Sequence, residues 1–375
     1  MIIGILKENP DERRVAMPPA TVEALVKKNV KVIIEQDAGS GSYHSDEDYK
    51  NHAEIVSRNE VLKKSDVLIR ISAPEDGDLD KMREGQVLIG VLNPLGEAEL
   101  TQKLLKKKIT SFSLDILPRT TKAQAMDILS SMATATGYKA VLDSAMHLPH
   151  FFPMFMTAAG TIAPAKVLVL GAGVAGLQAI ATARRLGARV EAFDVRSAVK
   201  EEVQSLGAKF VEVEGALEDA KAGGYGIEQT EEFKERQRQT IHEHASAADV
   251  IITTAQIPGR KAPILIKKET VEAMKPGSVI VDLASSTGGN CELTKKASNI
   301  EHKGVTILGK TSYPSTIPTD ASKMFGKNVF NFLSLMINED GSLNLDFEEE
   351  LIRESCVSHQ GEYISKRIKE FYQEK

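Results

Sequence analysis

Residues 167–194 read VLVLGAGVAGLQAIATARRLGARVEAFD. Val167 to Leu170 form a short apolar run of strand type, which feeds into Gly171-Ala172-Gly173-Val174-Ala175-Gly176. An alanine-rich stretch of helical type follows, and a second apolar run closes at Asp194. Strand, glycine turn, helix, strand and acid in this order are the full context of a dinucleotide-binding turn, which a bare glycine match lacks. Gly171 permits the tight turn, Gly173 lets a pyrophosphate approach the backbone, and Gly176 lets helix and strand pack closely. The helix start offers unpaired N–H groups and the positive end of its dipole to phosphate. Asp194 lies eighteen positions past Gly176, where a carboxylate can take ribose hydroxyls and repel a 2′-phosphate. The stretch therefore predicts NAD(H) over NADP(H), with Arg196 partly offsetting that bias.

Working outward, the 375 residues suggest two domains. Forty-two per cent apolar and 26% charged residues describe an ordinary globular chain. The net charge of −5 gives no basic face, which argues against a nucleic-acid partner. Cys291 and Cys356 lie far apart and predict core residues, with neither a disulfide framework nor a metal site. The opening MIIGILKE is too short and too early charged for a signal peptide. The most membrane-like stretch, 148–180, is broken by Pro149, Pro153 and Pro164 well short of about 20 apolar residues. The expectation is a cytoplasmic chain that does not itself span a membrane.

Before the fingerprint, strands are predicted at Ile2–Leu6, Val30–Glu35, Val67–Ile71, Val87–Leu92 and Ile109–Leu114. Helical patterns near 19–28, 46–52, 60–64 and 97–107 alternate with them, as in a parallel α/β sheet. This opening region has no GxGxxG turn. A helical pattern over 121–145 leads into a second region, with strands at 167–170, 190–193, 210–213, 250–253, 279–283 and 305–308. A last helix, Ala321–Ile337, is expected to return to the opening region. The fold class is thus α/β, with a discontinuous first domain (1–130 plus 310–375) and an inserted dinucleotide-binding domain (131–309). The cleft between such domains is a usual place for a ligand. Residues 214–247 break the rhythm, and Gly223-Gly224-Tyr225-Gly226 reads either as a lid or as a solvated insertion.

Oxidation of an alcohol or amine by NAD needs a proton acceptor near the reacting carbon. None of the eight histidines closes a predicted strand, which points to a reaction that moves hydride without a protein acid or base. Residues 119–131 are polar for a domain junction. Either Arg119, Asp127 and Ser130 hold a loop that presents Gln124, or Asp127 and Ser130 merely cap a helix. Residues 281–290, ending in Gly288-Gly289-Asn290, either aim backbone amides at the nicotinamide half or form a plain turn. Residues 253–259 end another strand at the crevice of a doubly wound sheet.

Lys7-Glu8 with Arg14-Val15-Ala16, the stretch 119–138 and Met156–Thr161 carry a resemblance over essentially the whole chain. It continues through Gly171–Gly176, Asp194-Val195-Arg196, Gly223-Gly224-Tyr225, Ile257-Pro258-Gly259 and Gly288-Gly289-Asn290. The chain resembles the NAD(H)-binding component, the first domain of the alpha subunit, of proton-translocating NAD(P) transhydrogenases. The resemblance implies two Rossmann-like domains, a homodimer, and direct hydride transfer from NADH to NADP⁺ held by a partner domain. Transmembrane partner subunits would couple this to proton translocation and hold the chain at the cytoplasmic face of the inner membrane. It also implies roles. Asp194, Val195 and Arg196 would bind the adenosine ribose; Arg119, Asp127, Ser130 and Ser131 would shape the nicotinamide loop. Gln124 would bring the two rings together, Tyr225 would close a loop over the nucleotide, and Val174, Gly224, Gln237 and Gln256 would line it. Lys122, Met132 and Gln229 depart from the family pattern. Alanine dehydrogenase is similar too, but its catalytic histidine would fall where Asn93-Pro94-Leu95 stands and its lysine near Arg70-Ile71-Ser72. Ser286 replaces its acid before Gly288, and only Arg14 remains of its amino-acid site. A non-catalytic NAD(H)-binding subunit is the alternative of a different class.

Overall fold

The computed structural model describes residues 1–213, 230–257 and 260–373. Its strands are β1 (Ile2–Ile5), β2 (Lys31–Glu35), β3 (Glu54–Val56), β4 (Val67–Ile69), β5 (Val87–Gly90), β6 (Thr110–Ser113), β7 (Phe155–Thr157), β8 (Gly160–Ile162) and β9 (Lys166–Leu170). They continue with β10 (Arg189–Phe193), β11 (Lys209–Phe210), β12 (Val250–Thr253), β13 (Val279–Asp282), β14 (Asn299–His302), β15 (Val305–Leu308), β16 (Cys356–His359) and β17 (Glu362–Tyr363). The chain divides into two units, Met1–Met132 with Pro314–Lys375, and Ala133–Tyr313.

In the first unit the sheet order is β17-β16-β6-β5-β4-β1-β2-β3. β1 to β6 run parallel, while β16 and β17 add an antiparallel edge. Alternate residues of the parallel strands face two cores. Ile3, Ile5, Val67, Ile69, Val87 and Ile89 meet Phe325, Val329 and Phe332 of the helix Pro318–Leu333. Leu68 and Leu88 face the opposite way, with Leu62 and Leu104. Runs of Val, Ile and Leu buried on both faces are what a parallel sheet requires.

The second unit repeats the plan as β11-β10-β9-β12-β13-β15-β14, parallel except for β14. Val167, Val169, Val250, Ile252, Val279 and Val281 form one face. Leu168, Leu170, Ile251 and Ile280 form the other. Among the described residues β7 and β8 pair only with each other.

Several elements differ from the sequence reading. The helix expected over 121–145 is a 3₁₀ stretch, Thr121–Met126, and an α-helix, Ile128–His147. They part at Asp127, whose φ −73° and ψ 92° are not helical. The last long helix starts three residues earlier than expected, on Pro318, because proline suits a first helical turn. Of the strand expected at 210–213 only Phe210 falls in the observed strand, Lys209–Phe210. β3, β7, β8, β14, β16 and β17 were not anticipated. β14–β15 and β16–β17 turn through Lys303-Gly304 and Gln360-Gly361, where both residues have positive φ, as a two-residue hairpin turn demands.

Candidate functional site

The glycine turn of the second unit can be tested atom by atom. Gly171 has φ +101°, and a Cβ there would lie 2.4 Å from Thr254 Oγ1. A Cβ on Gly176 would lie 1.9 Å from the Gly171 carbonyl oxygen, so the helix Val174–Arg185 seats on the turn only through glycine. A Cβ on Gly173 would meet nothing within 4 Å. Gly173 is therefore needed for space in front of the backbone, which fits a ligand rather than internal packing. No side chain caps the helix at Gly173, so its first-turn N–H groups are left for an outside acceptor. Val174, the first helical residue, is exposed. An open backbone at an uncapped helix start fits a dinucleotide pyrophosphate.

Asp194 follows β10 beside this turn. Its Oδ2 accepts from Ala172 N (2.7 Å) and from Arg196 Nη2 (2.8 Å). Its Oδ1 accepts from Arg196 N and Nε, both at 2.9 Å. A carboxylate has about four acceptor positions, and all four are engaged. The hydrogen bonds to Asp194 push the Arg196 guanidinium to still higher basicity. Asp194 and Arg196 thus form one ion pair, Nη2 to Oδ2 at 2.8 Å. Val195 between them is half-buried.

On the other side of the crevice, Asp282 ends β13 and is fully buried. Its Oδ2 accepts from Asn290 N (2.8 Å), Cys291 N (3.0 Å) and Thr294 Oγ1 (2.6 Å). Its Oδ1 accepts from Thr253 Oγ1 (3.1 Å) and Ala284 N (3.0 Å). Asn290 in turn receives Ala255 N at 3.0 Å and donates to the carbonyls of Ala255 and Pro263. This network fixes the loops after β12 and β13 and went unread in the sequence, where an acid ending an apolar strand is a weak signal. Gly289 N donates to Ala284 O (3.0 Å), so this amide belongs to the turn and does not face a ligand. Gln256 is exposed and donates to Leu283 O (3.0 Å). Burial pushes the Cys291 thiol up to about 11, as befits a core thiol.

In the first unit, Asp127 caps the helix Ile128–His147. Its Oδ1 accepts from Ser130 N (2.9 Å) and its Oδ2 from Ser130 Oγ (2.6 Å). Asn328 and Asn331 both donate to Ala125 O, at 2.9 and 2.8 Å, which pins the 3₁₀ turn. Arg119 and Gln124 are exposed on this fixed segment and Ser131 is half-buried. Asp127 and Ser130 therefore cap the helix, as the second of the two sequence readings has it. Arg14 is bound to Glu12 through Nε (2.8 Å) and Nη2 (2.6 Å), so its charge is already matched. Gln237 sits half-buried on the helix Glu231–Ser246. Gly224 and Tyr225 lie outside the described residues. Two histidines do close strands, contrary to expectation, because β14 and β16 were unforeseen. His302 bonds Glu272 and His359 bonds Thr110. Neither ends a parallel strand. Among the described residues no helix is long and apolar enough to cross a membrane.

Comparison with known proteins agrees with this geometry. The chain is 44% identical to an NAD(P) transhydrogenase subunit alpha chain of Rhodospirillum rubrum, over 97% of this chain and 98% of that one. A crystal structure of a transhydrogenase from Sinorhizobium meliloti superimposes with a TM-score of 0.86 at 38% identity, covering 98% of this chain and 100% of that one. Alanine dehydrogenase of Mycolicibacterium smegmatis is 31% identical over 80% of this chain and 77% of its own. The family model described as alanine dehydrogenase/PNT, N-terminal domain, matches residues 4–136. Its C-terminal counterpart matches residues 140–366. With both of its domain models matched and a relative 44% identical over nearly the whole length of each chain, this chain belongs to the alanine dehydrogenase/PNT family.

Proposed function

We propose that this chain is the NAD(H)-binding catalytic part of an NAD(P)⁺ transhydrogenase of the Re/Si-specific type, and that the observation carrying this reading is the open space before Gly173 at an uncapped helix. Gly171–Gly176 would hold the pyrophosphate of NAD(H), and Asp194, Val195 and Arg196 its adenosine ribose. Val174, Gln237, Gln256 and Ser131 would line the nucleotide. When bound, it supplies a hydride that passes from nicotinamide C4 to the C4 of NADP⁺ on a partner domain.

Neither ring gives up or takes a proton, so the chain needs no general acid or base. Its residues act by placement, bringing the reacting carbons to about 3–3.5 Å of each other. Gln124 orients the nicotinamide on the segment that Asp127, Ser130 and Arg119 hold. Transmembrane partner subunits convert the exchange into proton translocation and keep the chain at the cytoplasmic face of the inner membrane. Two copies associate through the β7–β8 hairpin, which among the described residues pairs with no other strand and exposes Phe155, Met156 and Ile162 beside exposed Phe151 and Met154. Sedimentation of Phe155→Asp/Met156→Asp should then show monomers, and an unchanged dimer would rule this face out.

The test mixes the purified chain, NADH, and the NADP(H)-binding partner domain loaded with an NADP⁺ analogue. Reduction of the analogue is expected; alanine-dependent NAD⁺ reduction by the chain alone would instead support an amino-acid dehydrogenase. In this assay Gln124→Ala should slow transfer about a hundredfold, the cost of an ångström-scale misplacement, with NADH affinity intact. A matching loss of affinity would make Gln124 a binding residue only.

A further inference from the structure

Gln124 is exposed on a short segment whose anchors are distant in sequence. Within Thr121–Met126, Ala123 and Met126 are buried in the core of the first unit, while Gln124 and Ala125 are exposed. The chain leaves helical geometry at Asp127, so the Ala125 carbonyl is met by side chains rather than by the next helical turn. Asn328 Nδ2 donates to it at 2.9 Å and Asn331 Nδ2 at 2.8 Å, which takes both of its acceptor positions. The two asparagines stand three apart on the helix Pro318–Leu333 and so share one face. Phe325, Val329 and Phe332 seat that helix in the same core that holds Ala123 and Met126.

Packing does not account for these amides. Asn328 is buried, and its Oδ1 finds no hydrogen-bond partner among the described residues. A buried amide oxygen left unsatisfied is costly, and a leucine of similar size would carry no such cost. The side chain therefore makes sense only through its nitrogen, which holds Ala125 O. Reversing the amide would set Oδ1 against that carbonyl, so the acceptor it faces fixes its orientation. Lys122 also ties the segment, to Glu349, but this ion pair is solvent-exposed on the lysine side and holds little. Ala125 follows Gln124 directly, so a shift of its carbonyl carries the Gln124 side chain with it.

We propose that Asn328 and Asn331 are positioning residues for hydride transfer, holding Gln124 in register through the Ala125 carbonyl. This rests on the transhydrogenase reading and on the place given there to Gln124. The experiment mixes the full chain, NADH and the NADP(H)-binding partner domain loaded with an NADP⁺ analogue. It reads the transfer rate at saturating partner and nucleotide, the NADH affinity and the melting temperature. Asn328→Leu/Asn331→Leu keeps side-chain volume and removes both donors. It should slow transfer about tenfold, part of the roughly hundredfold cost of an ångström of misplacement, with NADH affinity unchanged. Asn328→Leu alone should slow transfer without lowering the melting temperature, which a merely structural role would not do. Asn331→Gln, which keeps an amide donor, should transfer faster than Asn331→Leu. Added to Gln124→Ala, the leucine pair should slow transfer no further, because both act on one placement. If the pair does not fold, Asn331→Leu, at the half-buried position, carries the same comparison with a smaller slowing. Wild-type transfer in the leucine variants would overturn the proposal, as would a full further slowing on top of Gln124→Ala. If Gln124→Ala itself transfers at the unaltered rate, the place given to Gln124 falls and the proposal with it. If the unaltered chain transfers no hydride, the transhydrogenase reading itself fails.

Discussion

The two units use one topology and treat its crevice in opposite ways. β3-β2-β1-β4-β5-β6 in the first has the same order as β11-β10-β9-β12-β13-β15 in the second. In each, the strand order reverses beside the first strand, where such sheets bind ligands. After β9 come glycines, open space and unclaimed amides. After β1 comes Glu8, and after β4 comes Arg70, wholly buried. Glu8 accepts from the amides of Ile71 (2.5 Å) and Ser72 (3.0 Å), so the chain's own carboxylate takes donors that a ligand would need. Arg70 then bonds Asp78 (3.0 Å) and Asn9 (3.0 Å) and lies 3.7 Å from Glu8. The lesson is that strand order places a crevice, while the first residues beyond the strands decide whether it stays open.

This contrast can be broken or sharpened by substitution. Arg70→Met should rank among the largest effects. It strands Glu8 as a buried charge, while Arg58 still pairs with Asp78, and should cost about 3 kcal/mol, measured by denaturant unfolding. NADH affinity should not move; if it did, the first unit's network would belong to the nucleotide site. Next come the glycines. Gly176→Ala drives a methyl into the Gly171 backbone and should cost about 3 kcal/mol of stability. Gly173→Ala should leave the melting temperature alone yet lower NADH affinity about tenfold, or 1.4 kcal/mol. A Gly173 variant that binds NADH normally would show that the open space is not the ligand's.

Asp194→Ala is expected to weaken NADH about tenfold and to narrow the preference over NADPH, because it frees Arg196 for a 2′-phosphate. Unchanged selectivity would remove Asp194 from that role. The smallest effect concerns pH. Burial raises the Glu8 carboxyl above its ordinary 4.5, against the pull of Arg70. A folded-state value above the unfolded one stabilises most below pH 4.5 and loses that contribution as pH rises through the folded value. Glu8→Gln should lack this decline in a pH series of melting temperatures, and an identical slope in both proteins would contradict it.

Much of this was legible in the chain. VLVL, VIIT and VIVD are apolar on both faces, so they read as central parallel strands. The three glycines announced three different steric needs, and each has its own neighbour or lack of one. What escaped was settled by long-range partners. Three-residue β3 has no pattern of its own, and the hairpins turn on Lys303-Gly304 and Gln360-Gly361 rather than the stronger Asn-Gly signal. The helix break at Asp127 looks helical locally, and Asn328 and Asn331, two hundred residues on, hold the turn before it. The pairing of Asp194 with Arg196 depends on side-chain geometry that spacing does not reveal.

The central claim is direct hydride exchange without a protein proton relay. It is tested most directly with NADH deuterated at the transferring C4 position, mixed with the chain and the NADP⁺-loaded partner domain in ordinary water. Direct exchange predicts that the deuterium appears in full at C4 of the NADPH formed. Loss of the label to solvent, or no labelled NADPH at all, would contradict it.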